Sequence, residues 1–393
     1  MRTIILKNKG KAMFKSGYPL LKENDFVKMP TMTEEWCEFI SEDHEWLGVG
    51  YLGRQHKGYG FIVSQQRTTL DHDFFVSLFK KSRLRRATYE QQEDMTNAYR
   101  LFNAEGDGFG GMTIDYYNGY AVVSWYNATI YAHKMLIMDA FIEVYRDCVK
   151  GIVEKNRFER GQLPESQWIY GTKAPQPLMV KENGVNYPTY LNEGWMTGIF
   201  LDQHEVRGRL VDGEACGCSV LNAFSYTGAF SVAAAMGGAY RTVSVDLARR
   251  SLEKTREVFE ANQLNVDDHE IRVMDIFDYL HWAQKKGITF DMIILDPPSF
   301  ARNGKKVFSV AKDYGRLVKE VLPLLNDGGR LVASTNAANV SLAHYKDMIE
   351  TAFHHAHYHY DELYFDQLPG DFVVSPHYKE GNYLKVLTYG VHH

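Results

Sequence analysis

Ser219-Val220-Leu221-Asn222-Ala223-Phe224-Ser225-Tyr226-Thr227-Gly228-Ala229-Phe230 is the stretch on which the fold turns. An apolar run that reads as a buried strand passes through small residues into a helical stretch. Small residues at a strand-to-helix turn let a ligand approach the backbone closely. The pattern then repeats downstream. Strands are expected at 219–223, 242–245, 271–274, 292–295 and 330–333, and helices at 231–236, 249–262, 276–286, 312–325 and 342–354. Strand–helix alternation of this kind predicts an α/β, doubly wound parallel sheet of Rossmann-like type.

Ligands of such sheets bind beyond the carboxyl ends of the strands, so the residues after each strand carry the chemistry. The second strand ends at Asp246, about twenty residues after the turn, where a carboxylate can accept from both ribose hydroxyls. Read alone, Asp246 is equally a helix cap. After the third strand, Asp275 can accept from an adenine amine while Ile276 packs on the ring. The fourth strand ends in Asp296-Pro297-Pro298-Ser299-Phe300, a rigid loop with two missing N–H donors whose Asp296 and Pro297 carbonyls are available as acceptors. A GxGxxG fingerprint is absent, which disfavours a pyrophosphate-bearing dinucleotide.

The 393 residues exceed one ordinary domain. Residues 1–70 read as short strands with glycine turns, a small β-barrel. Residues 71–190 read as α+β: a helix capped by Asp71, strands, a long helix and a hairpin turning at Asn183-Gly184. Residues 191–393 form the third division. Four cysteines (37, 148, 216 and 218) make neither a disulfide framework nor a metal site. No apolar run reaches membrane-spanning length, and the N-terminus has no signal-peptide pattern, so a cytoplasmic location without membrane contact is expected. Net charge is −5, yet residues 1–91 carry 15 Lys and Arg against 11 Asp and Glu. The densest basic run is Lys80, Lys81, Arg83, Arg85 and Arg86, readable as a solvated helix face or as a phosphate-contacting stripe.

The strand-end residues resemble the class I S-adenosylmethionine (SAM)-dependent methyltransferase pattern. Over nearly its full length the chain resembles bacterial large-subunit ribosomal RNA methyltransferases that join a PUA barrel, an "EEHD" middle domain and a Rossmann-like catalytic domain. Asn97-Ala98-Tyr99-Arg100-Leu101 with Gly106-Asp107-Gly108, the segment from Thr197 to Arg207, Phe224-Ser225-Tyr226-Thr227-Gly228, and the tail from Glu380 to Lys385 carry the resemblance. It implies a transferase acting in rRNA processing, with SAM as cofactor and large-subunit rRNA or its precursor as partner. Phe224, Ser225, Tyr226, Thr227 and Gly228 would cradle the methionine part, Asp246 the ribose, and Asp275 and Ile276 the adenine. Phe200, Asp202 and Arg207 would close the pocket; Asn222, Leu247 and Asp296 complete the implied cofactor set. Oligomeric state stays open, a homodimer among the options.

The best-known relatives methylate cytosine carbon 5, a poor nucleophile that needs activation by a cysteine adding to carbon 6. Here Asn336, in Ser334-Thr335-Asn336, stands where that cysteine is expected, and none follows Asp296-Pro297-Pro298. A Ser-x-Asn ending is similar to that of a domain methylating a guanine ring nitrogen. A base nitrogen carries its own lone pair, so direct transfer is expected, with Asp296, Pro297 and Asn336 as the catalytic set. Phe300 and Tyr226 are candidates to stack on a base, and Arg83, Arg85 and Arg86 to contact RNA phosphates.

Overall fold

The computed structural model describes residues 1–56, 58–159, 161–303 and 306–393. The chain divides into two compact units: Met1–Val180 with Thr189–Thr197 and Gly370–Gly381, and Lys181–Pro188 with Gly198–Pro369 and Asn382–His393. The sequence reading expects three divisions, broken at 70 and 190. Within the first unit, residues on either side of position 70 share one apolar cluster, in which Val49, Tyr51 and Phe61 pack with Phe75, Phe109 and Trp125.

The first unit holds two five-stranded sheets. The first contains β1 (Arg2–Leu6), β2 (Leu20–Lys22), β3 (Trp36–Ser41), β4 (Trp46–Gln55) and β5 (Gly58–Ser64), in the order β1-β3-β4-β5-β2. The second contains β6 (Ala98–Asn103), β7 (Met112–Tyr117), β8 (Tyr120–Trp125), β9 (Gly151–Asn156) and β10 (Ser166–Gly171), in the order β10-β9-β8-β7-β6. Helices α1 (Lys11–Lys15), α2 (His72–Arg85), α3 (Ala87–Gln91), α4 (Ala128–Ala132) and α5 (Lys134–Tyr145) accompany them. Helix α2 starts where the sequence signals it, with the Asp71 carboxylate accepting from the Phe74 N–H.

In the basic run on α2 the three arginines read as RNA contacts, Arg83, Arg85 and Arg86, are engaged with carboxylates of the same unit. Arg86 is 1% exposed and grips the Asp107 carboxylate at 2.6 and 2.7 Å. It also donates to the Asp371 carbonyl, at 2.6 Å from Nη2. Arg85 donates to Asp107 as well, and Arg83 is shared by Glu90 and Asp147. Each of the three arginines thus reaches a carboxylate, while Lys80 and Lys81 stay exposed. The same grip explains the Gly106-Asp107-Gly108 signature: a Cβ on Gly106 would sit 1.6 Å from the Val373 carbonyl oxygen. The signature therefore clasps the segment Gly370–Gly381 to this unit.

A hairpin of β11 (Leu178–Glu182) and β12 (Val185–Thr189) follows, its turn taken by Asn183 at φ 51°. The second unit is built on a seven-stranded sheet of β13 (Ser219–Ala223), β14 (Arg241–Asp246), β15 (Glu270–Val273), β16 (Phe290–Leu295), β19 (Leu325–Thr335), β20 (His359–Asp366) and β21 (Lys385–His392). A separate small hairpin pairs β17 (Phe300–Asn303) with β18 (Lys306–Ser309). The sheet order is β15-β14-β13-β16-β19-β21-β20. Its first five strands are parallel, as the alternation predicts. The last two are antiparallel, an addition the sequence reading did not contain. Strand β21 is buried along seven of its eight residues, which fits its place between β19 and the exposed edge strand β20.

Helices α6 (His204–Arg209), α7 (Ala229–Met236), α8 (Arg250–Ala261), α9 (Ile276–Lys286), α10 (Val310–Val321) and α11 (Leu342–Ala356) complete this unit. Helix α10 shows why the pattern folds this way. Val310, Tyr314, Leu317, Val318 and Val321 are fully buried at helical spacing. Among the described residues no helix is long and apolar enough to cross a membrane.

Candidate active site

All five parallel strands deliver their carboxyl ends to one edge of the sheet, where the candidate residues gather. The loop after β13 is the most constrained. Phe224 (φ 62°) and Tyr226 (φ 52°) both adopt left-handed backbone, a conformation costly for residues with a Cβ. Hydrogen bonds hold it there. The Ser225 N–H donates to the Val245 carbonyl at 3.0 Å, and the Tyr226 N–H to Asp246 Oδ2 at 2.9 Å. Asp246 Oδ1 accepts from the Ala248 N–H at 2.8 Å. Asp246 thus fixes the loop, and each carboxylate oxygen keeps acceptor capacity for a ligand hydroxyl.

Packing requires glycine at position 228. Its φ is 78°, and a Cβ would lie 2.5 Å from Thr255 Cγ2 on α8. Gly228→Ala is expected to destabilise the protein by about 2–4 kcal/mol, left-handed strain adding to overpacking. Thermal unfolding of the variant checks this.

The segment entering this unit laces the strand ends together. Thr227 Oγ1 donates to the Gly198 carbonyl at 2.7 Å, and the Phe200 ring lies 5.3 Å from that of Tyr226. The Tyr383 hydroxyl donates to Asp202 Oδ2 at 2.8 Å. Arg207 is only 2% exposed. Its guanidinium pairs with both oxygens of Glu182 and donates to the Phe200 carbonyl at 2.6 Å. Arg207 thus holds the backbone that carries Phe200.

Asp275 caps α9, accepting from the Phe277 N–H at 3.0 Å, with Ile276 buried behind it. Leu247, next to Asp246, is 51% exposed. Asn222 donates to Ser231 Oγ at 3.0 Å, while its Oδ1 is buried without a partner. Ser225 Oγ is likewise buried and unpartnered. Two orphaned polar atoms, an exposed apolar side chain and three acidic strand ends suit an adenosyl amino acid, so the residues present fit SAM.

At the end of β16 the sequence reading missed two residues that matter. Gln203 Nε2 donates to Asp296 Oδ1 at 3.2 Å and to Ser334 Oγ at 2.7 Å. Burial pushes the Asp296 carboxyl up to about 6; Ser334 as a donor opposes this, Asp202 adds to it, and Arg207 and Gln203 oppose it. Both missed residues lie inside stretches quoted from the sequence, but only the fold brings them onto one carboxyl group. Asn336 is exposed, and its Oδ1 accepts from Ser299 Oγ at 2.7 Å. With Oδ1 so engaged, the amide N–H groups are the donors Asn336 can offer a ligand. Pro297 is buried, and Phe300 is 61% exposed.

Cys216 and Cys218 precede β13, at the opposite edge of the sheet, while Cys37 and Cys148 belong to the first unit. All four are free thiols. No metal-ligating cluster occurs among the described residues.

Residues 151–376 match the family described as S-adenosylmethionine-dependent methyltransferase, and residues 4–65 match the PUA-like domain. The chain is 44% identical to YwbD of Bacillus subtilis, a candidate ribosomal RNA large subunit methyltransferase, over 98% of this chain and 99% of that protein. It is 29% identical to ribosomal RNA large subunit methyltransferase I of Aliivibrio fischeri over 89% of each chain. Among solved structures, SMU.776, a candidate methyltransferase complexed with S-adenosylhomocysteine (SAH), superposes with a TM-score of 0.94 at 42% identity, covering 99% of this chain and all of that one.

Proposed function

Because this chain belongs to the family of SAM-dependent large-subunit ribosomal RNA methyltransferases, we propose that it methylates a nitrogen atom of a base in that RNA by direct transfer. One observation carries the choice of atom: Asn336, held by Ser299, directly follows β19, which ends at Thr335, and no thiol shares this edge of the sheet. Carbon-5 chemistry on a pyrimidine needs a nucleophile to add to the ring. A base nitrogen does not.

The cofactor supplies a methyl group on a sulfonium. Phe224, Ser225, Tyr226, Thr227 and Gly228, with Asn222, Asp202 and Phe200, would hold its amino-acid part. Asp246 would take the ribose, and Leu247, Asp275 and Ile276 the adenine. Asp296 would accept an N–H of the target base and take up its proton as that nitrogen is methylated. The Pro297 carbonyl orients the same group. Asn336 donates to an oxygen or nitrogen on the base edge, and Phe300 and Tyr226 stack on the base, which must be single-stranded or flipped out to reach them. Positioning supplies much of the rate. The reaction belongs in the cytoplasm, where ribosomal subunits are made.

Asn336→Ala is expected to lower kcat about 10- to 100-fold on substrate rRNA, the loss of one positioning hydrogen bond in a desolvated site. SAH affinity should stay within about threefold, since no cofactor contact is assigned to Asn336. Mass-spectrometric mapping of rRNA from cells with and without the gene tests the atom. A new methyl group on carbon, together with full activity in Asn336→Ala, would overturn the direct-transfer reading.

A further inference from the structure

Two cations to which the sequence draws no attention sit close together in the first unit. Lys155, near the end of β9, is wholly buried, yet its one hydrogen bond runs from Nζ to the Gly194 carbonyl at 2.7 Å. Arg157 follows two residues later and donates from Nη2 to the Trp195 carbonyl at 2.7 Å. Its Nε is buried with no partner at all. Neither side chain forms an ion pair among the described residues. The carboxylate of Asp115, one of those nearest Lys155, is bound by Arg100 at 2.6 Å. Burial and the neighbouring charge of Arg157 push the Lys155 ammonium down to about 8, so at neutral pH it is still mostly charged.

Two neighbouring positive charges whose hydrogen bonds go to neutral carbonyls, with the Asp115 and Glu165 carboxylates acting on Lys155 without an ion pair, are a costly arrangement inside a protein. They fix the backbone of two consecutive residues and so present the Trp195 side chain, which is 46% exposed and flanked by Met196 at 39%. The Arg157 guanidinium lies 5.9 Å from the indole centroid. All of these residues belong to the first unit. A flat exposed aromatic ring held beside uncompensated positive charge matches a nucleotide, whose base stacks and whose phosphate supplies the missing anion.

We propose that Trp195 and Arg157, with Lys155 fixing the loop behind them, form a single-stranded RNA contact in the first unit. Trp195 stacks on one base, and Arg157 pairs with an adjoining phosphate. The site rests on the reading of the chain as an RNA methyltransferase and adds to it a specific place where the substrate is held outside the cofactor-binding sheet.

The test uses the full-length protein with three probes: a mixed-sequence single-stranded 12-mer RNA, the same length of duplex RNA, and polyglutamate. Binding is followed by fluorescence anisotropy at two salt concentrations, with SAH calorimetry as the control for folding. Trp195→Ala is expected to weaken binding of the single strand by about 5- to 100-fold and Trp195→Phe by much less, because stacking needs only a π-face. Arg157→Gln is expected to weaken binding and to reduce the slope of log affinity against log salt by about one. SAH affinity should not move. Wild-type protein that binds the RNA while Trp195→Ala binds it equally well would overturn this site alone. Wild-type protein that binds no RNA would overturn the RNA reading and the site with it. Polyglutamate held as tightly as RNA, and weakened equally by Trp195→Ala, would make the site a peptide-docking surface and overturn the proposal.

Discussion

Asp296→Asn should abolish measurable methylation, lowering kcat by about 100-fold or more, while SAH still binds. The carboxyl is recessed, held by Gln203 at 3.2 Å, and pushed up to about 6 by burial. Asn keeps the shape and one acceptor oxygen but cannot take up the proton that leaves the base nitrogen. In the wild-type enzyme, kcat/KM for rRNA should fall about tenfold per pH unit below about 6, as Asp296 becomes protonated, and level off above it. The stability sign runs the other way. A carboxyl whose pKa is raised by folding binds its proton more tightly in the native state, so ionising it above about 6 costs stability. Asp296→Asn removes that cost and should melt no lower than wild type at pH 8. An inactive variant with an undiminished Tm locates the defect in chemistry. An active Asp296→Asn enzyme with an unchanged pH profile would remove Asp296 from the mechanism.

Asp107→Ala should produce the largest loss of stability, about 3–5 kcal/mol, because it strands a buried guanidinium. Arg86 is 1% exposed and Asp107 5% exposed. Asp107 also accepts from the Asn103 N–H at 2.6 Å, so the backbone of the signature loop loses a partner too. Arg86 in turn holds the Asp371 carbonyl, and Asp371 Oδ2 accepts from the Arg100 N–H at 2.7 Å. Replacing both partners, Arg86→Met with Asp107→Leu, should recover much of the loss, since a buried pair exchanged for apolar side chains is often tolerated. Chemical denaturation of the single and double variants checks this. The segment Gly370–Gly381 should become protease-sensitive in Asp107→Ala, because the clasp that holds it is gone. A Tm within 1 °C of wild type for Asp107→Ala would show that the pair contributes nothing.

The candidate site was legible to an unusual degree because a parallel sheet sends successive strand ends to one edge. Asp246, Asp275, Asp296 and Asn336 each follow a strand whose apolar run announces itself, so knowing the strands places the residues. Gln203 escaped because it belongs to no strand end, and only the docking of 198–207 brings it to Asp296 and Ser334. The two antiparallel strands escaped for a different reason. Strand β20 is exposed along most of its length and carries little apolar signal, and β21 enters the sheet from the far end of the chain.

By itself, the sequence determined the alternation of strands and helices, the order of the parallel strands' acidic ends, the cofactor class and the absence of a thiol where a carbon-methylating relative would need one. The first two follow from local periodicity and from residues adjacent to their own elements, and the last two from the resemblance to the methyltransferase family. Tertiary structure alone decided which charges are free. Arg83, Arg85 and Arg86 look like an anion-binding stripe in sequence, yet carboxylates from α3, from the end of α5 and from the signature loop consume them. Lys155 and Arg157 look unremarkable, and their hydrogen bonds end on backbone carbonyls, with no ion pair among the described residues. Charge neutralisation depends on distance in space, falling steeply beyond a few ångströms, and a linear sequence holds no record of which distant acid will arrive beside which base.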